Sequence, residues 1–391
     1  MKRMIIMGGQ MRNKGAQAMT YITMDEIAKR WPDVTPTILD RKANWDSNLK
    51  LECINIPLSI QCLMQIPVVR ALLKLAKPTA KRYEAIMKET VAVIDISGFA
   101  LGRSWSAKGM VSYALTRMMA GKRHHFPVYL MPQSFGPFGA KKLTGKMVEL
   151  LLKKTLPKAA VIMSREKQGM EALRDAFGVT KNVCLQPDLV LQNKGVEKEN
   201  IFYSVPDMPG TEILPGSVAI VPNQKTIVNN SMEKMLKLYR SMIDHLLEKG
   251  KNIYLVYHSS EDYSICNEIK ALFRDEERVI VVEKELNCFE YHETVKKFDY
   301  IIASRFHSIV LAYRNHTPAI VLGWAVKYQE LLGLFGQQDY LFDVRNVINE
   351  NDLIARIDKM EQEKQREREK IAEGLVQVQE QNVFDLIQPK K

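Results

Sequence analysis

The sequence predicts an α/β protein made of two successive Rossmann-like domains with a cleft between them. Three observations carry that expectation. Short β-branched runs alternate with longer helical patterns, the mark of βαβ units on parallel sheets. The alternation breaks once, at a polar stretch from Asn193 to Gly216 that contains Pro206, Pro209 and Pro215, and then restarts. The chain has 391 residues, more than the ~250–300 that one core supports. The expected division is a first domain over residues 1–195, a linker over 196–216, a second domain over 217–350 and a charged terminal helix over 351–391.

In the first domain, strands are expected at Met4–Met7, Val91–Ile96, Pro127–Met131, Ala160–Met163 and Val183–Leu185. A helix follows the first strand, from Lys14 to Arg30, and another ends near Gly178. In the second domain, strands at Val218–Val221, Asn252–Val256, Val279–Val282, Tyr300–Ala303 and Pro318–Leu322 alternate with helices at Ser231–Lys249, Asp262–Arg274 and Tyr291–Lys297. The last helix, Asp352–Gln381, carries EQEKQREREK at its centre and reads as a solvated helix with i,i+4 pairs.

Composition narrows the function. No run of ~18 apolar residues is present, so no membrane span is expected. The start, MKRMIIMGGQ, turns Gly-rich after six residues and does not read as a signal peptide. Five scattered cysteines without a CxxC pair suggest neither a zinc site nor a disulfide framework and fit a reducing cytoplasm. The net charge of +11 is concentrated: Leu51 to Ala160 holds 17 Lys/Arg against 5 Asp/Glu. That half calls for an anionic partner. Nucleic acid is not expected, because no aromatic interleaving or recognition motif accompanies the basic residues. The segment Leu58–Lys77 is apolar on one side and ends in Arg70, Lys74 and Lys77. It reads as a helix packed in the domain core, with an interfacial position on anionic lipid as the alternative.

Ligands of open parallel sheets bind at the carboxyl ends of strands, and the unusual polar residues fall there. GGQMRNKGAQAM after the first strand offers Asn13 as a helix cap and Gln17; it is not GxGxxG. DISGFALG offers Asp95, and MPQSFGPFG offers Gln133 and Ser134. Ser164-Arg165-Glu166 and Ser304-Arg305-Phe306-His307-Ser308 each place an arginine at a helix start, and Asp188 follows the fifth strand. A cation is unfavourable at the positive end of a helix unless an anion lies between them. Two such junctions, one per domain, predict a small polyanion held across the cleft.

These residues resemble the polysaccharide pyruvyl transferase family. The resemblance rests on Asp299 followed by S-R-F-H-S and Pro318, with N-x-G-A at Asn13–Ala16, Q-S-x-G-P at Gln133–Pro137, S-R-E at Ser164–Glu166 and P-D at Pro187-Asp188. The order is that of the family from about residue 5 to 335, while Gln17 stands where many members carry an acid. The resemblance implies a GT-B-like fold and transfer of a pyruvyl group from phosphoenolpyruvate to sugar hydroxyls as a cyclic ketal, with release of phosphate. It implies His307 as general acid and a phosphoenolpyruvate site at Arg165, Arg305, Phe306 and Ser308. The acceptor or base would come from Asn13, Gln17, Asp95, Gln133, Ser134, Glu166, Asp188 and Lys327. No metal or cofactor is called for beyond phosphoenolpyruvate as co-substrate. The acceptor would be a polysaccharide or lipid-linked oligosaccharide, such as an undecaprenyl-pyrophosphate-linked sugar, and the enzyme cytoplasmic or peripheral on an anionic membrane face. The alternative is a GT-B glycosyltransferase using a nucleotide sugar, with Glu283 or Glu285 on the ribose.

Overall fold

A computed structural model describes residues 1–39, 45–102, 105–228 and 231–390. The first sheet contains β1 (Lys2–Met7), β2 (Val34–Leu39), β3 (Glu52–Ile54), β4 (Thr90–Asp95), β5 (Val128–Gln133), β6 (Val161–Ser164) and β7 (Val183–Leu185). Its order is β3-β2-β1-β4-β5-β6-β7, all parallel. The second contains β8 (Val218–Val221), β9 (Ile253–Leu255), β10 (Val279–Val281), β11 (Tyr300–Ala303), β12 (Ala319–Gly323) and β13 (Leu341–Asp343). Its order is β10-β9-β8-β11-β12-β13, again all parallel.

Each sheet reverses its direction of growth once, between β1 and β4 and between β8 and β11. These are the switch points where a crevice opens outside the strand ends. The N-x-G-A stretch leaves β1 and the S-R-F-H-S stretch leaves β11, so both lie at switch points.

Three strands escape the sequence pattern. β2 contains Pro36, which reads as a strand breaker yet is paired with Met4 of β1. β3 and β13 are three-residue edge strands, too short to show a period.

The helix Lys14–Arg30 is buried on every face from Lys14 to Ile27. It is wedged between the sheets, packing on the helices Cys288–Val295 and Phe306–Arg314 of the second domain. Polar residues inside it are satisfied locally: Thr20 Oγ1 donates to the Ala16 carbonyl at 2.8 Å and Thr23 Oγ1 to that of Met19 at 2.7 Å.

Two expectations are corrected. The terminal helix, Glu350–Val378, is not a solvated rod. Leu353, Ile357, Met360, Ile371, Leu375 and Val378 are buried, and the charges between them serve the second domain. Lys364 pairs with Asp299 at 2.5 Å, Arg368 donates to the Phe298 carbonyl at 2.6 Å, and buried Glu367 accepts from Gln337 at 2.6 Å. The tail then returns to the first domain, where Lys390 N–H donates to the Val91 carbonyl at 2.9 Å and Asp385 pairs with Arg30 at 2.7 Å. It therefore straps the two domains together. Second, Leu58–Lys77 is not a core helix. Pro67 starts a new helix, Pro67–Ala76, in which no residue is buried.

Candidate functional site

The two switch points touch. Asn13 caps the helix Lys14–Arg30, its side chain accepting from the Gly15 and Ala16 amides at 3.0 and 3.2 Å, and its backbone bridges to Ser259 of the second domain. Gly15 then lies against His307. A Cβ built at Gly15 would sit 2.1 Å from His307 Cγ, so only glycine lets the imidazole approach.

On the other side of the ring, His307 Nε2 stands 3.5 Å from Asp188 Oδ2, longer than a good hydrogen bond. Asp188 caps the short helix Leu189–Gln192 through the Val190 amide at 2.9 Å and accepts from Arg165 Nη1 at 2.7 Å. Burial alone would make Asp188 hard to ionise, but the His307 imidazole and the Arg165 guanidinium more than offset it and hold the carboxyl well below its usual range. Arg165 also donates to the Gly98 carbonyl at 2.7 Å and to Ser134 Oγ at 2.9 Å, and Ser134 donates to Glu166 at 2.6 Å. One chain of contacts thus runs from Glu166 through Ser134, Arg165 and Asp188 to His307, from one domain into the other.

Arg305 is placed differently. It binds Asp262 through Nε and Nη2 at 2.7 and 2.5 Å, and Glu261 at 2.5 Å. Both arginines expected to clamp an anion are therefore already held by carboxylates. Arg165 Nε still has no acceptor among the described residues. Its guanidinium lies 4.6 Å from the Phe306 ring centroid, and the Lys327 ammonium lies 5.0 Å from the same ring. Ser308 is fully buried, its hydroxyl beside that of Tyr291.

Two lysines supply charge that the arginines have committed elsewhere. The Lys327 ammonium sits among the Phe306, Trp324 and Tyr328 rings. Its pKa falls to about 7, first through burial and then through repulsion by Arg165, against the opposing pull of Glu166. Lys14 is 2% exposed, with its ammonium over the Tyr257 ring, and burial lowers its pKa despite the nearby Glu285 and Asp262. No ion pair reaches Lys14 or Lys327 among the described residues. Sequence reading overlooked Lys14, although it is a third cation at a helix start, next to Gly15. His258 is 1% exposed and stacks on His307 at 6.5 Å between ring centres. Burial, then His307, Lys14 and Arg305, push its pKa well down.

A second polar cluster lies at the end of β4. Asp95, fully buried, accepts from Ser97 Oγ at 2.5 Å, Arg117 at 3.2 Å, Gln133 Nε2 at 3.5 Å and the Tyr113 hydroxyl. Tyr113 and Arg117 are delivered by the helix Ala107–Tyr113 and the π-helical turn Ala114–Met119 that continues it. Neither residue stands out in the sequence, because the turn that aims them has no composition signal. Gln17 belongs to neither cluster: its carbonyl accepts from the Cys288 amide at 2.7 Å, so it joins the domains. Glu283 and Glu285 fall apart. Glu283 lines a recess with Thr211 and Tyr254, whereas Glu285 is near Lys14.

The site thus gathers an imidazole beside a carboxylate, two cations that pair with no carboxylate among the described residues, and the start of the helix Phe306–Arg314, the positive end of its dipole. That set can hold an oxyanion and move a proton beside it. Comparison with known structures shows where such a scaffold occurs. Anabaena HepE, solved with UDP and glucose, matches with a TM-score of 0.56 at 10% identity, covering 99% of this chain and 97% of that one. S. aureus TarM, solved with UDP, matches at 0.55 and 9% identity, covering 98% of each chain. A putative UDP-N-acetylglucosamine 2-epimerase of Listeria monocytogenes matches at 0.54 and 11% identity, covering 96% of this chain and 91% of that one. The fold is therefore GT-B. No curated protein matches the sequence. The family model for polysaccharide pyruvyl transferases matches residues 13–325, from the cap of the first helix to the strand beyond His307. Spanning both sheets and the point where Gly15 meets His307, that match places the chain in the polysaccharide pyruvyl transferase family.

Proposed function

We propose that the chain forms a cyclic pyruvate ketal on a sugar, taking the pyruvyl group from phosphoenolpyruvate and releasing phosphate. The observation that carries this reading is His307, set between Gly15 and Asp188 where the two domains meet.

The phosphate and carboxylate of phosphoenolpyruvate would lie against Lys14, Lys327, Arg165 Nε and the first-turn amides at Phe306 and His307. His307 protonates the methylene carbon while a sugar hydroxyl bonds to the adjacent carbon, giving a tetrahedral ketal that still bears phosphate. A second hydroxyl displaces the phosphate and closes the ring. Asp188 stands beside the imidazole and orients it, and Arg165 helps keep Asp188 ionised. Arg305 serves by fixing Glu261 and Asp262 behind the helix start. Glu166 and Asp95 are the carboxylates placed to receive a hydroxyl proton. The acceptor is a sugar of a polysaccharide or its lipid-linked precursor, and the enzyme works on the cytoplasmic side.

Phosphate release from phosphoenolpyruvate, across free and lipid-linked galactosyl, mannosyl and glucosyl acceptors, tests the reading. Release should depend on an acceptor and fall ~10²–10⁴-fold in His307→Gln, while phosphoenolpyruvate binding stays within about tenfold. Thermal stabilisation by a nucleotide sugar, with no phosphate release on any acceptor, would overturn it in favour of glycosyl transfer.

A further inference from the structure

We infer that the helix Pro67–Ala76 lies on an anionic lipid surface. Val68, Leu72 and Leu75 form an i, i+4, i+7 stripe that is 74%, 63% and 83% exposed. Leu58 and Ile66, just before it, are 52% and 42% exposed. Such a stripe on a helix with no buried residue is an unpartnered apolar face.

Charge names the partner. Lys77, Lys81 and Arg82 are exposed at the end of the helix and just beyond it. Arg70 and Lys74 are close enough to His124 to join burial and Arg123 in lowering its pKa to about 4. The five acids between Leu51 and Ala160 each have a partner, and the 17 Lys/Arg of the same stretch outnumber them. Glu52 and Glu89 hold Arg3, Glu84 holds Arg123 and Lys74, Asp95 holds Arg117, and Glu149 accepts from the Gly139 and Ala140 amides at 2.7 and 2.9 Å.

The pattern repeats nearby. In the helix Leu143–Thr155, Leu143, Met147 and Leu150 are 74%, 65% and 54% exposed at the same spacing, beside Lys142 and Lys146. This helix and the helix Leu58–Leu63 both pack on the turn Ala114–Met119. Both follow strands of the first sheet, β3 and β5. Apolar stripes rimmed by lysine and arginine are the chemistry of a helix lying in the headgroup layer. No helix among the described residues is long and apolar enough to cross the bilayer.

Co-sedimentation of the full chain with vesicles of phosphatidylcholine, with and without phosphatidylglycerol, tests this independently of the reaction. The chain should pellet with phosphatidylglycerol vesicles only, and less at high salt. Leu72→Glu with Leu75→Glu should remove pelleting, and Lys77→Glu with Lys81→Glu should weaken it about fivefold or more. Because these positions are exposed, the melting temperature should stay unchanged, which controls for folding. Absence of pelleting, or pelleting unaffected by Leu72→Glu with Leu75→Glu, overturns the inference. So does light scattering in which that double variant turns a dimer into a monomer, since the stripe would then belong to a second copy.

Discussion

Arg165 and Arg305 occupy the same local pattern, a serine–arginine step from strand to helix, and the protein uses them in opposite ways. Arg165 ties three loops of its own domain together and, through Asp188, reaches His307 of the other domain. Arg305, among the described residues, binds acids of its own domain, Glu261 and Asp262. The first arginine couples the halves of the cleft; the second fixes the loop from which His307 projects. An arginine at a helix start therefore does not by itself mark a ligand contact. What matters is whether the fold brings a carboxylate to it first.

That contrast is sharpest at the two carboxylates. Asp188→Asn should lower phosphate release about 10²-fold or more, because it removes the charge that supports an imidazolium. Asp262→Asn should act mainly on stability, costing about 3–5 kcal/mol in denaturant unfolding by leaving part of Arg305 buried and unpaired. Equal losses of activity in both variants would erase the distinction. Asp188 also adds an acid limit. Its folded pKa is depressed, so its contribution is present at neutral pH and is lost as pH falls through the carboxylate range, and Asp188→Asn should flatten that part of the stability profile.

Gly15→Ala tests the meeting of the domains without touching a charge. The added methyl must push His307 aside, and a displacement near 1 Å should reduce turnover up to about 10²-fold, with an overpacking cost of about 1–3 kcal/mol in unfolding free energy.

The smallest effect is expected at Lys327, with a sign fixed by its lowered pKa. An anion favours the ammonium, so phosphoenolpyruvate affinity should be full below pH about 7 and weaken as pH rises through it, by up to about tenfold per unit. Without ligand the folded state gives up this proton near 7 and the unfolded chain near its ordinary value, so stability should rise with pH between the two. Lys327→Met should remove both slopes, measured by calorimetric titration and by melting across pH.

Much of this was legible in the residues. The alternation of strands and helices and the polar loops at strand ends are local patterns, governed by hydrophobic period and turn chemistry, and they identified the helix starts around Asn13 and His307. Local pattern misled at the terminal helix, where charges read as solvent-facing but reach Asp299, Gln337 and the Phe298 carbonyl. It misled again at Pro67–Ala76, where an apolar face implied a core that the chain does not provide.

The sequence by itself determined two successive α/β halves, because hydrophobic period and turn chemistry are local, while Asn13, Arg165, Asp188 and His307 stood out through resemblance to the family's motifs. Only the tertiary structure decided which arginine faces which acid, that Lys14 and Lys327 pair with no carboxylate among the described residues, and that Gly15 is the floor on which His307 rests. Those outcomes depend on groups that different loops and both domains bring together, as Asp188 is brought to His307, where burial and distance rather than neighbourhood set the electrostatics.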